Sequence, residues 1–91
     1  MTKKDAMAIL RKNGCSKTPM AVDILIQISE QPGIELDTIV MRMQRNDPDT
    51  RVSYHRERAR KNIERLYQRG LIKYERQPQT GTYALSDRIR D

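Results

Sequence analysis

The chain has no Trp and no Phe, and its aromatic residues are four Tyr. A core must therefore be built from Leu, Ile, Val, Met and Ala, packed in bulk rather than around large rings. A single cysteine, Cys15, excludes an internal disulfide and suits a reducing compartment. With one histidine, His55, beside it, the usual four-ligand zinc site has too few soft donors. Long apolar runs are absent too. The longest is Ala6–Leu10, and Met20–Val22 and Ile24–Ile26 are broken by Asp23, all far short of the ~20 residues that cross a bilayer. The charged amino terminus leads into no apolar segment of the kind a secretory signal needs. A cytoplasmic protein without membrane contact is the expectation. No phosphate-binding loop, nucleophile elbow or dinucleotide fingerprint occurs. Neither catalysis nor a cofactor is expected.

What the sequence does have is cationic charge in one place. Of 91 residues, 36% are hydrophobic and 33% charged, so a single thin-cored domain over 1–91 is expected. Lys and Arg number 18 against 12 Asp and Glu, a net charge of +6. Between Arg42 and Arg76 stand eleven bases and five acids, and eleven minus five is the whole of that +6. The rest of the chain balances at seven against seven. Nine of the eleven bases are Arg, whose planar fork bonds phosphates and guanine edges in pairs. A polyanionic partner follows from that concentration.

Periodicity divides the chain into four helices and a hairpin. Residues 3–13 place Ala6, Ile9 and Leu10 on one face, and Gly14 follows as a stop. Thr18-Pro19 opens a second helix, 18–31, as N-cap and first helical residue. It carries two apolar faces, Met20, Ile24, Leu25 and Ile28 on one and Val22 and Ile26 on the other. A helix apolar on two sides belongs at the centre, and Val22 and Ile26 are expected to receive the first helix. Ile34 reads as a short strand. Leu36, Ile39, Val40 and Met43 then repeat at helical spacing over 36–44, with Asp37 expected as N-cap. A turn around Asn46-Asp47-Pro48-Asp49 precedes a basic helix over 52–69, with Val52, Ala59, Ile63 and Leu66 as its apolar line and Gly70 as its stop. Beyond Gly70 the pattern alternates on either side of a Gly-containing turn, a β-hairpin spanning 71–86. Tyr74 and Tyr83 are expected to pair across it.

Mainly α structure with a small β-hairpin, in this order, is a winged helix-turn-helix layout: a three-helix core, an additional N-terminal helix and a C-terminal wing. The stretch Asn62-Ile63-Glu64-Arg65-Leu66-Tyr67-Gln68-Arg69-Gly70-Leu71-Ile72 resembles the end of a recognition helix running into the first wing strand. It is similar to bacterial regulators of the MarR and PadR type and to shorter winged-helix regulators, over about residues 18–86. The resemblance implies double-stranded DNA as partner and transcriptional regulation in a bacterium or phage as role. Those families dimerise through long terminal helices. The tail here is too short for that, which leaves the helix at 3–13 as the one element for a homodimer.

A helix fits the major groove, where each base pair shows a distinct set of donors and acceptors. At 100° per residue, Ile63 and Leu66 lie within about 40° of Ala59, while Tyr54, Glu57, Arg58 and Lys61 point away and Ser53 and Arg60 flank them. Ser53, Tyr54, Glu57 and Arg58 are expected near bases, with Arg60 and Lys61 nearer phosphates, and Arg51 is expected to contact DNA as well. At the tip of the wing, Arg76, Gln77, Gln79, Thr80 and Thr82 are expected to meet the backbone or minor groove. His55 turns toward the core side, so packing or hydrogen bonding is its expected role. Two other functions fit the same layout: a protein-interaction module docking its basic helix on an acidic partner, and a replication or recombination factor bound to DNA.

Overall fold

The computed structural model describes residues 1–74, 82–87 and 89 of the chain. Four helices, α1 (Lys3–Lys12), α2 (Pro19–Glu30), α3 (Leu36–Asn46) and α4 (Val52–Gln68), combine with three short strands, β1 (Ile34–Glu35), β2 (Ile72–Tyr74) and β3 (Thr82–Leu85). The strands form one antiparallel sheet in the order β1-β3-β2. The result is mainly α with a small β-sheet, the winged helix-turn-helix class.

Local chemistry sets most of the helix ends. Thr2 and Asp5 close a capping box on α1: the Thr2 hydroxyl accepts from the Asp5 N–H, and the Asp5 carboxylate accepts from the Thr2 N–H. Donation from the Thr2 N–H first, then from the Thr2 side chain, holds the Asp5 carboxyl below its ordinary range. Thr18 caps α2 through its side chain, with Pro19 in the first turn. α3 departs from expectation. Its N-cap is Glu35, without a side-chain cap bond, and Asp37 lies inside the first turn. Glu35 already belongs to β1, so the strand runs directly into the helix and takes the cap position from Asp37.

At the far end of α4, Gly70 adopts φ +74° and lets the chain reverse. The Gly70 N–H donates to the Tyr67 carbonyl at 2.9 Å and the Leu71 N–H to the Leu66 carbonyl at 3.0 Å, closing a Schellman motif. Leu66 and Leu71, which accompany that motif, are both buried. The Ser86 hydroxyl donates to the Gly70 carbonyl at 2.7 Å, and its N–H to the Leu71 carbonyl at 2.9 Å, so β3 ties back onto the helix stop.

The core is aliphatic and shared by every element. Leu10, Ile24, Leu25, Ile28, Ile34, Ile39, Val40, Ile63, Leu66 and Leu71 are among its fully buried side chains. Each such side chain contributes about 1.5–3 kcal/mol by burial alone. α2 is central: it packs on α1, α4 and β3. Val22 is buried and Ile26 half-buried, Met20 is half-buried, and Ile24, Leu25 and Ile28 are sealed. α3 packs chiefly on α4, fixed across the surface by Arg56 Nη1 to Asp37 Oδ1 at 2.7 Å. A second clamp joins α3 to α2, where the Arg42 guanidinium donates to Gln27 and Gln31 at 2.9 Å each.

Candidate nucleic-acid interface

Residues 47–51 link α3 to α4, and the link is anchored by His55. The ring is 4% exposed, and its Nε2 lies 3.0 Å from the Asp47 carbonyl oxygen. A carbonyl can only accept, so Nε2 carries the proton. Nδ1 is buried and has no hydrogen-bond partner among the described residues. The histidine thus packs the first turn of α4 beneath the turn that precedes it.

His55, Ala59, Ile63 and Leu66 form the buried line of α4. Val52 is not part of that line: 48% of it is exposed. Its direction on the helical wheel is inward, but at the first residue the helix has run past its neighbours, and direction without depth buries nothing. The interval of three or four residues between buried positions leaves the opposite side of α4 bare. Ser53, Tyr54, Glu57, Arg58, Arg60 and Lys61 are all exposed, as is Arg51 at the N-cap. α4 holds five bases (Arg56, Arg58, Arg60, Lys61, Arg65) and two acids (Glu57, Glu64), so +3 of the charge rides on this one rod.

Two sides of that rod differ in chemistry. On one, Val52, Ser53, Arg56, Glu57 and Arg60 line an open cleft of about 490 Å³. Lys61 Nζ lies 3.4 Å from Glu57 Oε1, one turn farther along. On the other, the Arg58 guanidinium carbon stands 5.4 Å from the centre of the Tyr54 ring, a cation–π pair. Arg58 also borders a groove of about 510 Å³ where Arg65 and Asn62 meet the start of α2 at Thr18, Pro19 and Met20. The Asn62 side chain donates to the Arg58 carbonyl at 2.9 Å, within α4 itself.

Arg56 was not among the candidates from sequence. It lies on the flank of α4 toward α3, and the signal that marks it is the acid in the first turn of α3, its partner Asp37. Arg76, Gln77, Gln79 and Thr80, expected at the wing tip, lie outside the described residues. For Thr82 the backbone is described: it stands opposite Glu35 in the sheet. Tyr74 faces Tyr83 across β2 and β3, with ring centres 5.4 Å apart, and Tyr67 of α4 adds a third ring 5.0 Å from Tyr74. The three rings join the sheet to α4. Among the described residues no helix is long and apolar enough to cross a membrane, and no group of three or more His, Cys, Asp or Glu side chains could hold a metal ion.

These features define a winged-helix fold whose longest helix presents an exposed cationic side. Among solved structures the fold is similar to that of a zinc uptake regulator complexed with zinc and DNA, with a TM-score of 0.64 and 20% identity over 96% of this chain. The chain spans 57% of the length of that regulator. At this identity the likeness speaks for the fold and leaves the MarR- and PadR-type resemblance at the level of architecture. No protein-family model matches the chain, and no curated protein matches it in sequence.

Proposed function

We propose that this protein binds double-stranded DNA sequence-specifically as a regulator of transcription, without catalysis, through α4 in the major groove and the 71–86 hairpin on the backbone or minor groove. One observation carries the reading. α4 is held on the domain by His55, Ala59, Ile63 and Leu66, while the side bearing Tyr54, Glu57, Arg58, Arg60 and Lys61 is left to solvent. A rod anchored along one line with cations along the other matches a groove walled by phosphates. The fold it shares with a regulator solved on DNA supports the same reading. In this scheme Ser53, Tyr54, Glu57 and Arg58 face base edges, and Arg51, Arg60 and Lys61 face phosphates. Arg76, Gln77, Gln79 and Thr80 serve the wing.

Selection of bound fragments from random duplex, followed by titration at several salt concentrations, tests the proposal. The logarithm of the binding constant should fall by about 0.9 per phosphate contact for each unit of log salt. Arg58→Ala should cost about 1–3 kcal/mol on the selected sequence and flatten preference at one base position. Arg60→Ala and Lys61→Ala should weaken selected and random duplexes alike. If no duplex is retained at low salt while an acidic protein partner is, α4 serves protein docking and the proposal fails.

A further inference from the structure

We infer that Glu57 is a specificity-determining residue that accepts a hydrogen bond from the exocyclic amino group of a cytosine. The inference rests on the reading of α4 as the helix that enters the major groove. Five of the six residues expected to face DNA on this helix are neutral or cationic; Glu57 is the exception. The other acid of α4, Glu64, lies two turns on, where its carboxylate meets Gln68 at 3.4 Å beside the three-tyrosine cluster. Glu57 instead stands in the cleft with Val52, Ser53, Arg56 and Arg60, 160° from the core direction on the helical wheel.

A carboxylate in that place is repelled by every phosphate, so it opposes binding to DNA in general. It becomes favourable only where it meets a donor. In the major groove two bases offer an amino donor, cytosine at N4 and adenine at N6. Adenine sets the N7 lone pair beside its amino group and repels the second carboxylate oxygen, whereas cytosine presents the donor alone. The Lys61 ammonium, 3.4 Å from Oε1, steadies the side chain from the following turn. As an exposed pair at this spacing it adds little in water. The arrangement yields discrimination of both signs: a gain at cytosine and a penalty elsewhere, above all at thymine and guanine, whose edges present acceptors.

The test pairs variants of the protein with variants of the duplex. With the sequence selected by the wild type, Glu57→Ala should bind roughly 5- to 150-fold more weakly. On random-sequence duplex the same variant should bind at least as tightly as wild type, because a repelling charge is gone. Changing one C·G pair of the selected site to T·A should weaken the wild type and leave Glu57→Ala unaffected at that pair. Glu57→Gln should move the preference at that position toward adenine, whose N6 and N7 suit an amide. Equal losses on selected and random duplex, or base preferences unchanged in both variants, overturn the inference while leaving DNA binding intact. Failure of the wild type to bind any duplex at low salt removes the underlying reading instead.

Discussion

Tyr83 shows how burial turns one side chain into a pH-sensitive part of the fold. Its ring is 4% exposed in β3, and burial first, then the neighbouring Tyr74, raise its phenol above the usual tyrosine value. A raised acid favours its neutral form in the folded state, so its stabilisation is present below about pH 10 and lost as pH rises beyond. Thermal melting at stepped alkaline pH should show Tm falling above pH ~10, and Tyr83→Phe should flatten that fall while preserving the ring stack. His55 makes a different prediction. His55→Ala removes the donor to the Asp47 carbonyl and leaves a hole at the base of the 47–51 link, for a loss of about 2–4 kcal/mol in chemical denaturation. A loss under ~0.5 kcal/mol would show that the link holds without it. Both residues were legible in the sequence as packing residues, through alternation for Tyr83 and angular position for His55. Val52 was misread by the same wheel, because periodicity encodes direction and not how far a helix extends beyond its neighbours.

Among the elements, α4 separates stability from recognition along its own axis. Ile63 and Leu66 are each 2% exposed, so Ile63→Ala or Leu66→Ala should cost about 2–5 kcal/mol, enough to leave a domain of this size marginal. Arg58→Ala, on the exposed side, should melt within about 0.5 kcal/mol of wild type. Comparable destabilisation by all three would mean that the cationic side is structural. Gly70→Ala should cost on the order of 1 kcal/mol through its positive φ, read as a lower Tm with binding preference unchanged. Helix stops of this kind are written locally, as a glycine flanked by Leu66 and Leu71. The start of α3 was not: Asp37 has the chemistry of an N-cap, but the strand pairing of Ile34 and Glu35 with β3 decides where the helix begins.

For the molecule as a whole, the +6 charge matters through where the fold carries it. If α1, the one element the sequence leaves for a homodimer, joins two copies, the footprint should show two half-sites about 34 Å apart, and a single uninterrupted site would remove that role from α1. Sequence by itself determined the helices, the switch to alternating strands after Gly70 and the segment that holds the net charge, since each follows from neighbours a few residues apart. Tertiary structure decided which of those charges stand open and which are engaged. Arg56 is joined to Asp37 of α3 and Arg42 to Gln27 of α2 and its C-cap Gln31, Lys61 pairs with Glu57 on its own helix, and Arg60 is exposed. It also decided that β1 joins β3, across nearly fifty residues of chain. Local preferences act over one or two turns, whereas these pairings exist only once α2 and α3 have packed against α4, so no local pattern could have carried them.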